Sequence, residues 1–281
     1  MLNSPAIWVL ASGCVVVLVL LLRGLDIGPL HTDVIIHQAW FDEFGVDGFP
    51  ARYFDVNQRH PLVGPIIALA YRLFGRDDLP YHLIFQSCRV LEGAFLAGIV
   101  SQITGRRLVA FCVGLALMLI PIRLAELFQE IYWSIETTLV LLLASTYTYI
   151  LSVKKTGGKT RWLLLLISFA CYTVSVLIYE SGIPWIAVNM LAGWFVLDSL
   201  SSRARLWRIG WEAVPTAVVG VSLAIAVVFV FEPWNVLRPE IEASSSRLLV
   251  EQLGTGVTFP ADYLSVLKIA VNDGYLTWIV I

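Results

Sequence analysis

The chain is 281 residues long, 58% hydrophobic and only 14% charged, with a formal net charge of −2; its mean hydropathy is +0.79. Soluble domains average about 45–50% apolar and about 25% charged, and one water-bounded core cannot hide so large an excess. A soluble enzyme, a disordered chain and a nucleic-acid-binding module are excluded, and the sequence predicts an all-α polytopic membrane protein.

A bilayer-crossing helix needs roughly 17–25 apolar residues. Taken in chain order, such runs fall at 6–23, 83–103, 108–125, 134–152, 162–179, 183–199 and 213–231. An eighth begins near 263, and the sequence stops at Ile281 while still apolar, so a fragment of a longer protein is expected. Seven or eight spans therefore form a single transmembrane domain over 1–281. The first run has no basic n-region and reads as a retained span, not a signal peptide. Cys14, Cys88, Cys112 and Cys171 all lie inside apolar runs without CxxC spacing, and read as small packing residues.

Between the first two runs lies 24–82, too long for a plain connector. Within it, 33–44 carries Val34, Ile35, Ala39, Trp40 and Phe41 on one side, with Asp33, His37 and Glu43 pointing elsewhere. That pattern predicts an amphipathic helix on the membrane surface. Residues 61–75 form a second apolar stretch, too short to span, read as another juxtamembrane helix. All four histidines (His31, His37, His60, His82) and eight of the twenty-one acids fall in this loop.

Direction follows from the basic residues. The connections at 104–107, 153–161 and 200–212 hold Arg106, Arg107, Lys154, Lys155, Lys159, Arg161, Arg203, Arg205 and Arg208. The positive-inside rule makes these loops cytoplasmic. The N-terminus is then cytoplasmic too, and 24–82 and 232–262 lie outside, in a plasma or inner membrane. Trp8, Trp133, Trp162, Trp207 and Trp211 fall near span ends, where amphipathic rings sit. Gly157-Gly158-Lys159-Thr160 ends like a phosphate loop, but Val153 stands where that motif needs glycine.

Several charges fall inside or at the ends of spans. Arg89 and Glu92 share one face of the second span and can pair; ionisable residues at membrane depth are functional candidates by default. Glu126 and Glu130 lie one turn apart in an outer connection, and Glu180 ends the run 162–179. Gly93/Ala97 and Ala94/Gly98 are small pairs at four-residue spacing, expected to pack helices together. His31, Asp33 and His37 offer nitrogen and oxygen ligands at short spacing, a loose pattern for a divalent metal ion such as zinc.

Asp33, then Phe44 to Pro50 (FGVDGFP), then Arg59-His60-Pro61-Leu62, then Leu73-Phe74-Gly75 form an ordered series after the first span. This order, with the topology around it, resembles the GT-C superfamily of membrane glycosyltransferases, in particular the protein O-mannosyltransferase and aminoarabinose-transferase branch. The likeness covers roughly residues 1–200. Two departures accompany it: Val34 follows the first acid where the family usually has a second, and no large C-terminal region is present. The resemblance implies inverting transfer of a sugar from a polyprenyl-phosphate donor to an acceptor lipid, glycan or protein on the outer face, without nucleic acid.

Such a transfer needs a carboxylate to take the acceptor proton, worth about 10²–10⁴-fold. Asp33 is the candidate, with Asp42 and Glu43 in reserve. The leaving phosphate needs preorganised positive charge, for which Arg59 is suited by its bidentate guanidinium, with His60 beside it. Glu180, Glu126, Glu130 and Arg89 are second-rank site residues. The competing expectations are a transporter or flippase for a lipid-linked or polar solute, which predicts inverted repeats and broken mid-membrane helices, and a non-catalytic membrane scaffold.

Overall fold

The computed structural model describes residues 4–22, 32–56, 60–76, 78–119, 132–155, 157–179, 182–198 and 200–226, all within one compact unit, Met1–Val227. The described residues are helical, with no strand among them. In order, the helices are α1 (Pro5–Leu22), α2 (Thr32–Val56), α3 (Val63–Phe74), α4 (Asp78–Thr104), α5 (Arg107–Leu119), α6 (Tyr132–Val153), α7 (Lys159–Ile178), α8 (Trp185–Val196) and α9 (Ser202–Ala226).

Seven of these overlap predicted apolar runs. Among the described residues, three helical stretches are long and apolar enough to cross a membrane, Leu79–Thr104, Ile135–Val153 and Lys159–Ile178. Helix α8 has 12 residues, about 18 Å at 1.5 Å per residue, against a hydrocarbon core of about 30 Å. The predicted run beginning near 263 lies outside the described residues. Helix α9 starts well before the predicted 213, so the basic stretch 202–212 is helix and not loop.

α4 is the hub, packed against α1, α5 and α6, while α7 and α8 lean on α6 and α9 on both of them. Close approach depends on small residues, as the sequence leads one to expect. Gly93 and Gly114 bring α4 and α5 together so tightly that a Cβ on Gly114 would lie 2.4 Å from the Gly93 carbonyl oxygen and 2.8 Å from the Ala97 Cβ. Gly98 abuts the Tyr147 ring of α6 in the same way. Gly114→Val is expected to destabilise the bundle by about 1–3 kcal/mol, because the opposing atom is backbone and cannot rotate away. Thermal unfolding in detergent measures this, with Gly157→Ala, whose surroundings are open, as a silent control.

The outward faces are apolar. Trp162, Leu163, Leu166 and Ile167 on α7, and Val218, Val221 and Ile225 on α9, are largely uncovered. So much contiguous apolar surface is unsuited to water and suited to lipid.

The three basic connections gather at one end of the bundle. Lys154 Nζ donates to the Gln102 carbonyl and side-chain oxygens, both at 2.8 Å. Arg208 Nη2 donates to the carbonyls of Val153 (2.8 Å) and Lys155 (3.1 Å). Arg161 of α7 pairs with Glu212 of α9.

Candidate functional site

At the other end of α7, helices α2 and α3 pack together into a platform. Helix α2 is broken at Gly45 (φ 68°, ψ 173°), a left-handed conformation that glycine adopts without strain. A second helical segment follows Gly45, with Pro50 near its start, where a missing N–H costs little. The chain thereby bends back so that Phe41 lies stacked between Phe49 (centroids 4.1 Å apart) and Tyr71 of α3 (3.8 Å). Gly64 lets α3 approach, since a Cβ there would meet the Tyr53 Cβ at 2.9 Å. Gly75 ends α3 with φ 61° and an N–H to Tyr71 O bond of 2.7 Å.

The platform is docked on the bundle. Tyr81 and Phe85 of α4 and Ile178 of α7 share its core, and Tyr81 Oη donates to the Gly75 carbonyl at 2.9 Å. His60 stacks on Tyr179 with centroids 4.2 Å apart and planes 20° from parallel, and Leu62 N donates to Leu177 O at 3.3 Å. The turn preceding α3 is thus fastened to the C-terminal end of α7, the end remote from its basic connection.

One turn further along α4 from Phe85 the packing becomes polar. Gln86, Arg89 and Glu92 are buried on α4, and Glu136 and Thr138 on α6; Glu92 is 1% and Glu136 2% exposed. Arg89 Nη2 donates to the Met118 carbonyl of α5 at 2.8 Å, and Cys88 Sγ lies 3.7 Å from Thr137 Oγ1. Both carboxylates are within electrostatic range of that sulfur. Charges taken out of water cost several kcal/mol each unless paired and hydrogen-bonded, so three together mark a place kept polar against that cost. Glu136 is absent from the sequence-derived candidates, although a lone acid four residues into an apolar helix is the signal that singles out Arg89.

The other candidates are distributed as follows. Asp33 sits in the first turn of α2, with its side chain outside the described residues. Asp42 is exposed and paired with Arg76, and Asp47 with Arg72, two surface bridges that stitch α2 to α3 and are each worth about 0–1 kcal/mol. Arg76 Nε also donates to Tyr71 Oη at 2.9 Å; that bond first, and Asp42 second, raise the guanidinium pKa above its ordinary value. Glu43 is exposed. His37, expected to point away from the apolar face, is instead buried against the rings of Phe49 (5.4 Å), Tyr53 (5.7 Å) and Trp40 (5.9 Å). The second segment of α2 folds back over it. His31, Arg59, Glu126, Glu130 and Glu180 lie outside the described residues. Among the described residues no three His, Cys, Asp or Glu side chains are grouped as a metal ion would need. Compared with protein-family models, curated proteins and solved structures, the chain finds no match.

Proposed function

We propose that the chain is an integral membrane glycosyltransferase of GT-C type, with seven or eight spans, a cytoplasmic N-terminus and the α2–α3 platform on the outer face. It transfers a sugar from a polyprenyl-phosphate donor to an acceptor hydroxyl. The observation that carries this reading is the docking of the platform at the end away from the basic connections, one helical turn above the buried Arg89, Glu92 and Glu136. A lipid-borne donor requires such an arrangement: a roof at the interface, and charge within reach of a headgroup. His60-Pro61-Leu62 adjoins Arg59, and its contact with Tyr179 links the turn to the residue before Glu180.

In the proposed reaction the acceptor oxygen attacks the anomeric carbon from the face opposite the phosphate. Its proton passes to the Asp33 carboxylate, the carbon–oxygen bond to the phosphate breaks, and polyprenyl phosphate leaves, stabilised by Arg59 with His60 beside it. Charge aimed at the developing phosphate lowers the barrier without reorganisation. A divalent ion held by His31, Asp33 and His37 is not needed for this chemistry, and the apolar rings around His37 are poor company for one.

The second reading, a transporter or flippase, draws on the buried polar residues that continue along α6. Ser145, Thr146 and Ser152 are buried there, with Ser168 on α7 and Asn189 on α8. Apart from Ser152, which donates to the Tyr149 carbonyl at 2.6 Å, these groups are engaged with one another or with Trp185: Asn189 Nδ2 donates to Ser145 Oγ at 3.1 Å, Ser168 Oγ to Ser145 O at 2.9 Å, and Trp185 Nε1 to Thr146 Oγ1 at 2.9 Å. Leu142 and Leu143 lie buried between them and Glu136. A closed network of this kind suits helix association better than a solute path.

The test is transfer of radiolabelled sugar from a panel of polyprenyl-phosphate donors by the protein reconstituted in liposomes. Product formed together with free polyprenyl phosphate is expected. Absence of transfer across the panel, with protein-dependent movement of the lipid-linked sugar between leaflets, would replace the first reading by the second.

A further inference from the structure

At the basic end, the first turns of α1 and α5 leave a groove of about 420 Å³ between them, lined by Pro5, Trp8, Arg107, Leu108 and Phe111. That is within the size range of small-molecule sites. Phe111 packs on the core formed by Val9, Ala94 and Ala97, whereas Trp8 is 58% and Leu108 75% exposed. Beyond these turns neither helix carries a charge, so the open side of the groove faces hydrocarbon. Its polar edge is Arg107, with Arg106 beside it, and both side chains are exposed. Among the described residues neither guanidinium is given to an ion pair or a hydrogen bond.

The backbone that presents the two arginines is already fastened. Gly105, at φ 69°, donates its N–H to the Ser101 carbonyl at 3.0 Å, and Ala110 N donates to the Arg106 carbonyl at 3.0 Å. Thr104 Oγ1 donates to the Val100 carbonyl at 2.8 Å and accepts from Arg106 N at 3.1 Å. A ligand arriving here orders side chains only, which keeps the cost of binding low. No acid neutralises the pair locally, since neither residues 1–25 nor residues 93–125 hold one. Lys154, drawn to Gln102, adds a third positive charge, and Glu212 is already held by Arg161 and Arg208. From this complementarity we infer that the groove holds one anionic phospholipid, its phosphate on Arg107 and Arg106 and an acyl chain along Trp8, Leu108 and Phe111. A guanidinium grips phosphate through paired N–H donors, and an indole sits well at headgroup level. A zwitterionic head brings its own cation against two arginines, and a soluble phosphate leaves the apolar walls uncovered. The site is remote from the platform and does not rest on sugar transfer.

The full chain would be placed in nanodiscs of phosphatidylcholine, phosphatidylethanolamine and phosphatidylglycerol in equal parts, and the lipids retained on its release counted by native mass spectrometry. Phosphatidylglycerol is expected to be retained about ten- to thirtyfold over each of the others, the contribution of two basic side chains near an anionic lipid. Arg106→Gln/Arg107→Gln should bring the ratio close to one with thermal unfolding unchanged. Lys155→Gln/Lys159→Gln removes as much charge from exposed positions at the same end, outside the groove, and should leave most of the preference. Equal retention of the three lipids would overturn the assignment. So would an equal loss in both double variants, which would mark a diffuse field around the basic end instead of a site. Displacement of the retained phosphatidylglycerol by millimolar inorganic phosphate would also overturn it, since the groove would then be recognising a soluble anion.

Discussion

Asp33→Asn is expected to lower sugar transfer by about a hundredfold or more, the range of general-base catalysis, while the protein remains folded. Asn keeps the size of the side chain and removes its basicity. Asp33 lies in the first turn of α2, where losing a negative charge costs only about 0.3–1 kcal/mol of interaction with the helix dipole. A large effect on turnover can therefore be separated from an effect on stability. Asp42→Asn serves as the comparison: its carboxylate is exposed and bridged to Arg76, and its loss should alter turnover by no more than about twofold, as for a surface ion pair. Steady-state donor consumption, with unfolding temperatures alongside, decides it. Turnover unchanged in Asp33→Asn would remove that residue as the base and leave Glu180 as the next carboxylate to replace.

The second large effect is structural. Arg89→Leu should destabilise the bundle by about 3–5 kcal/mol, the range seen when one partner of a buried charge group is removed. Two buried carboxylates, Glu92 and Glu136, would lose the nearby cation, and the Met118 carbonyl its 2.8 Å donor. The double variant Arg89→Leu/Glu92→Leu should recover part of the loss, because apolar pairs of similar volume often replace buried ion pairs at little cost. Detergent-resistant unfolding temperatures of the single and double variants measure the coupling. Glu92→Leu alone completes the cycle: a double-variant loss equal to the sum of the two single losses would mean that Arg89 and Glu92 act independently.

The helical segments were legible because a bilayer-length apolar run leaves little choice of structure. The run at 83–103 lies inside α4, which begins five residues earlier at Asp78, and the Gly93 and Ala97 spacing predicts a close helix contact. The gathering of the basic connections at one end is likewise implied by their sign and spacing. What escaped were features set by phase and by tertiary contact. Reading 33–44 as one amphipathic face assumes a steady 100° per residue; the break at Gly45 resets that phase, and the residues after it close over His37. Glu212 ends the basic stretch 200–212, and only the fold brings Arg161 to it from fifty-one positions away. Glu136 stands near the start of a span, where acids are commonplace; its burial comes with the packing of α6 on α4.

The fastening of the basic end also bears on how the chain is made. The carbonyls that close α6 at Val153 and Lys155 are capped by Arg208, which follows Val153 by fifty-five residues. The Arg161 carboxylate partner likewise arrives only with α9. A nascent chain halted after α8 would carry α6 and α7 complete in sequence yet with their shared end unclosed. Emergence of 202–212 from the ribosome is then the step that brings both missing partners, Arg208 and Glu212, to this end of the bundle.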